Sequence, residues 1–71
     1  MLRIQKLRED RGLSRSALAR IALMHAATVG QIESRYIGRP YQSQLDKLAE
    51  ALEFTGEADE LLEEVDADDR P

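Results

Sequence analysis

Apolar positions recur along this chain at helical spacing. Ile4 and Leu7 lie three apart in a segment otherwise built of Arg, Lys, Gln and Glu, and Gly12 follows as a residue free to adopt the left-handed geometry that closes helices. The pattern predicts a first helix over about residues 2–11. Ser14 is a good N-cap for a second, in which Ala17, Leu18, Ile21 and Ala22 form one apolar stripe ending near Ala22. A turn over residues 23–25 leads to a third helix, Ala26 to Glu33, with Val29 and Ile32 inward. Arg35 to Pro40 reads as loop, because Gly38 and Pro40 both interrupt helices. Leu45, Leu48, Ala49 and Leu52 then make the stripe of a fourth helix over about 42–53, with Ser43 a candidate N-cap and Asp46 suited to the positive helix end. Thr55 is expected to cap a fifth helix, Gly56 to Val65, with Ala58, Leu61, Leu62 and Val65 inward.

Composition agrees with five short helices and an all-α class: nine Ala and ten Leu stand against eight Ile, Val and Thr together. Seventy-one residues make one small domain, expected over 1–65, followed by an acidic tail over 66–71 too polar to pack. A chain of this size has little room for a catalytic cleft. With no cysteine and one histidine, His25, neither a thiolate site nor a multi-histidine metal site can form, and His25 has no ligand partner three or four residues away. No catalytic residue, metal or cofactor is expected. No apolar run reaches the roughly 20 residues that span a bilayer, and the first residues lack the apolar stretch of a signal peptide, so a cytoplasmic protein without a membrane partner is expected.

The net charge of −4 conceals an asymmetry. Residues 1–39 carry eight Lys and Arg against three acids, whereas residues 40–71 carry two against eleven. Such a division suggests a basic face for a polyanion and an acidic face that is solvated or meets a basic partner. Glu57, Asp59, Glu60, Glu63 and Glu64 are expected on the solvated side of the fifth helix.

Two helices of seven or eight residues joined by a three-residue turn make a helix-turn-helix unit, whose second helix is offered to the major groove of DNA. With Arg15 as its first residue, Leu18, Ala19, Met24, Val29 and Ile32 fall at its buried positions, and the small residue required where the helices cross is Ala19. At residues 2–64 the chain resembles the XRE family of lambda-repressor-like, Cro/repressor-type helix-turn-helix domains. The likeness rests on Leu7-Arg8-Glu9-Asp10-Arg11-Gly12-Leu13-Ser14, Leu18-Ala19, Ile32-Glu33, and Pro40 followed by Leu45-Asp46-Lys47-Leu48-Ala49-Glu50-Ala51-Leu52. It implies a five-helix DNA-binding domain, a dimeric repressor, and an ion pair between Arg8 and Glu33. It also places Tyr41, Phe54, Leu62 and Val65 toward a two-fold partner.

The chain departs from the family pattern at two places. Leu23 stands where the turn usually holds glycine, so it must take a positive φ or the turn must change. Glu33-Ser34-Arg35 replaces the usual Glu-x-Gly, which implies a reshaped loop. The groove-facing surface of the third helix reads His25, Ala26, Ala27, Thr28, Gly30, Gln31 and Ser34, with no Lys or Arg. Gln31 suits adenine N6 and N7, and Ala26 and Ala27 suit thymine methyls. Phosphate contacts fall to Arg15, Arg35 and Arg39, with His25 or Thr28 at the start of the helix. Tyr36, Tyr41 and Phe54 are expected to complete the core around the loop, unless Tyr36 or Tyr41 reaches a phosphate. The rival to a DNA-binding repressor is a protein-interaction module, or an antitoxin, whose acidic half binds a basic partner such as a toxin.

Overall fold

The computed structural model describes residues 1–66. Four α-helices, α1 (Arg3–Asp10), α2 (Arg15–Ile21), α3 (Ala26–Glu33) and α4 (Gln42–Ala51), are followed by a 3-10 turn, Ala58–Leu62. The class is all-α, as the sequence implied. Apart from Asp66, the expected acidic tail over 66–71 lies outside the described residues.

The fifth element differs from the expected helix over 56–65. Its N-cap is Glu57 rather than Thr55, and the Glu57 N–H is held by Glu60 Oε1 at 2.8 Å. After Leu62 the chain turns extended. Arg3 N–H donates to Glu63 O and Val65 N–H to Met1 O, each at 2.8 Å, around an antiparallel bridge between Leu2 and Glu64. Backbone groups that would continue a helix are thus consumed by the N-terminus. Helix α4 starts at Gln42 as expected, but its N-cap is Tyr41 rather than Ser43, with the Tyr41 N–H bonded to Gln44 Oε1 at 3.1 Å and Ser43 inside the helix.

All four helices close with the same backbone motif. Gly12, Leu23, Arg35 and Glu53 take φ of 69°, 59°, 63° and 53°. At each end two N–H groups fold back onto the last turn, as when Leu23 bonds Arg20 O and Met24 bonds Ala19 O. The apolar residue that follows usually packs beneath such a cap, and Leu13, Met24 and Phe54 do so. Tyr36 instead points outward, 80% exposed.

Leu2, Ile4, Leu18, Val29, Ile32, Leu48, Leu52 and Leu61 form the centre of the core. In α2 and at its C-cap the buried set is Leu18, Ala19 and Ala22, whereas Ile21 is 53% exposed, contrary to the expected stripe. The inward direction of α2 lies between Leu18, Ala19 and Ala22, which leaves Ile21 about 60° past Leu18 on the far side. Tyr36 and Tyr41 do not complete the core around the loop. Both are about four-fifths exposed, and the loop is closed underneath by half-buried Ile37 and buried Pro40, while Phe54 packs against the core as expected. Among the described residues no helix is long and apolar enough to cross a membrane, and no cluster of His, Asp and Glu is arranged to hold a metal.

Candidate nucleic-acid interface

The helix-turn-helix unit is assembled from short-range bonds. Ser14 Oγ accepts from Ala17 N–H at 3.0 Å and starts α2. Ala19, 2% exposed, lets the two helices approach. Leu23 supplies the left-handed residue of the turn, and His25 in an extended conformation begins α3. Helix α3 buries Val29, Ile32 and Glu33 against the domain. The opposite side leaves His25, Ala26, Ala27, Gln31 and Ser34 exposed, with Thr28 and Gly30 half-buried between the two faces. Every expected reading residue of α3 therefore lies on one outward surface or at its margin. That surface contains no Lys or Arg of its own.

Beneath it sits a buried ionic cluster. The Glu33 carboxylate, without solvent exposure, accepts from Arg8 Nε at 2.7 Å, from Arg8 Nη2 at 3.0 Å and from Arg15 Nε at 3.1 Å. Arg8 also donates through Nη1 to Leu13 O at 2.7 Å, which ties α1 to the segment entering α2. The hydrogen bond to Glu33 holds the Arg8 guanidinium above the usual arginine value, against the opposing effect of its burial. Hydrogen bonds from these cationic partners compensate the exclusion of the carboxylate from water.

The other expected phosphate-binding arginines are paired with acids of the C-terminal half. Arg35 contacts Glu64, and Arg39 Nη2 lies 3.2 Å from Asp59. Arg11 meets Glu53 at 3.0 Å, and Arg3 meets Glu60 and Glu63 at 3.8 and 3.4 Å. The two halves of the sequence are thus not two separate charged faces, because the acidic segment folds against the basic one. Their opposite charges in so small a domain are the signal from which this pairing could have been read. No signal in the sequence revealed that Arg15 reaches Glu33.

Of the residues assigned to a two-fold partner, Phe54 and Val65 border one shallow hollow of about 230 Å³ together with Leu7, Arg3 and Lys6. Leu62 packs against the core, and Tyr41 stands 79% exposed at the start of α4. A second hollow, about 490 Å³, is lined by Ile21, Leu23 and Ala51 with Lys47, Glu50 and Glu53 at its edges.

The sequence profile of a family described as a helix-turn-helix domain matches residues 2–62. No curated protein and no solved structure matches the chain.

Proposed function

The chain belongs to the helix-turn-helix domain family, in its XRE-like group, and from that premise we propose that it is a sequence-specific transcriptional repressor that seats α3 in the major groove. The observation that carries the reading is the division of α3 itself. Val29, Ile32 and Glu33 anchor it to the domain, while His25, Ala26, Ala27 and Gln31 are left together in solvent. Gln31 is placed to bond adenine through N6 and N7, and the two alanines to contact thymine methyls. Arg15, Arg35 and Arg39 would supply phosphate contacts, with His25 and Thr28 at the start of α3. The work is binding rather than catalysis, in the cytoplasm, and a homodimer would set two such helices about 34 Å apart, one turn of B-DNA.

A titration against random and promoter-derived duplexes at two salt concentrations tests this. Salt-dependent binding with at least a hundredfold preference for one duplex supports it, on the scale of about 10³ or more for specific regulators. The rival reading is an interaction module or antitoxin that docks a basic protein, and the absence of Lys and Arg from α3 favours it. Asp59, Glu60, Glu63 and Glu64 are engaged by the chain's own arginines, Arg35 and Arg39 among them, so these exposed pairs weigh on both readings alike. Equal, weak affinity for every duplex would select the rival.

A further inference from the structure

Gly30 leaves a gap in the side-chain surface of α3, and an arginine from α2 lies over it. A Cβ at Gly30 would meet Arg15 Nη1 at 3.5 Å and Arg15 Cδ at 3.7 Å, ordinary contact distances, so the Arg15 side chain lies directly over this position with room beneath it for little more than a methyl. Its Nε–H is taken by Glu33 Oε1 at 3.1 Å. That carboxylate is immobilised by two bonds from Arg8 and has no solvent exposure. Arg15 keeps 49% of its side chain exposed, and among the described residues neither of its terminal amino groups is bonded to the protein. One edge of the guanidinium is therefore anchored and the other is open.

Resting on the DNA-binding reading and going beyond it, the geometry points to Arg15 as the guanidinium of the reading surface, with Glu33 as its positioning residue and Gly30 as the small position over which it lies. A helix without Lys or Arg acquires a cationic donor from its neighbour. Arg8 is matched by Glu33 and by Glu9 at 3.6 Å, and the accessible cationic part of the cluster is the outer end of Arg15. Because the Nε bond already restricts the side chain, less rotamer freedom remains to be lost on binding. The matching ligand is a pair of acceptors on duplex DNA, either two phosphate oxygens or O6 and N7 of one guanine.

Arg15→Lys separates shape from charge, since an ammonium cannot hold Glu33 with one edge and DNA with another. In anisotropy titrations of the full chain, this variant should bind about tenfold more weakly with its salt slope unchanged. A loss shared by all duplexes assigns the acceptor to phosphate, and a loss confined to duplexes with guanine at one position assigns it to that base; either supports the role. In the DNA-free protein the Arg15 Nε–H should exchange slowly with solvent by NMR. Gly30→Leu, which fills the gap while raising helix propensity, should make that exchange fast in a chain that remains folded. Fast exchange in the wild type, or equal affinity of Arg15→Lys and wild type for DNA, overturns the inference while leaving the DNA reading intact. A wild-type chain that shows slow exchange and binds no duplex overturns the DNA reading, and the role of Arg15 falls with it.

Discussion

Leu23 holds at the end of α2 the left-handed conformation that Gly12 holds at the end of α1, with φ of 59° against 69°. A side chain with a Cβ is strained there, by about 1–2 kcal/mol for an L-residue, and only part of that is offset by the extra chain entropy glycine loses on folding. Leu23 is 82% exposed, so its side chain returns little by burial. Leu23→Gly is therefore expected to stabilise the domain by up to about 1 kcal/mol, raising Tm by about 4–8 °C in a circular-dichroism melt. A lower Tm would mean that contact between Leu23 and the walls of its hollow outweighs the backbone strain.

Arg8 and Glu33 carry the opposite expectation. Arg8→Ala would leave a fully buried carboxylate with one remaining bond, from Arg15, and removing one partner of such a pair costs about 3–5 kcal/mol. Small domains have little more than this in total, so the variant should be largely unfolded at 25 °C by urea titration. A loss below about 1 kcal/mol would show that water enters the site when Arg8 is removed. The pH dependence has a definite sign. Glu33 raises the Arg8 pKa, so this contribution is complete at every pH below the ordinary arginine value and is lost only as pH climbs through the raised one. Arg8 itself then adds no slope to stability between about pH 6 and pH 9.

Binding of DNA by Arg39 has to displace Asp59, 3.2 Å away. Both side chains are more than half exposed, so the pair is weak and the effect modest. Asp59→Asn should tighten binding to every duplex by about two- to fivefold and steepen the salt slope by about one, since the freed arginine then holds a counterion that phosphate releases. Glu50→Gln removes the same charge from an exposed residue that belongs to none of the ion pairs above. If Glu50→Gln gives an equal gain, the benefit comes from net charge and Arg39 is not at the interface.

The helical period alone was enough to place α4, whose stripe of Leu45, Leu48, Ala49 and Leu52 is buried throughout. It was not enough for α2, where a stripe four residues wide does not say which flank faces inward; the small Ala19 is inside and the larger Ile21 outside. Residues 56–65 show the limit more sharply. Ala58, Leu61, Leu62 and Val65 have helical spacing, yet the backbone beyond Leu62 pairs with Met1 and Arg3, about sixty residues earlier, and no local pattern carries that information. The same holds for the candidate interface. The outward residues of α3 follow from their 3.6-residue period, whereas the partners of Arg15, Arg35 and Arg39 lie eighteen or more residues away and depend on the packed fold.

Association of two copies is expected through the hollow where α1 meets the last segment. Phe54 and Val65 are only half-buried there, beside Leu7, and Arg3 and Lys6 form the basic margin. Apolar side chains left this open in a small domain favour coverage by a symmetric partner, and a two-fold axis would also pair two recognition helices for a palindromic site. Sedimentation equilibrium at micromolar concentration should therefore give about twice the 8.0 kDa chain mass. Val65→Glu is the informative variant. Its backbone N–H to Met1 O is retained, and the new carboxylate lies near Arg3 and Lys6, so the monomer should fold while the dimer is lost. A wild-type mass near 8.0 kDa across the concentration range would exclude the dimer in the absence of DNA. A dimeric mass for Val65→Glu would move the interface away from this hollow.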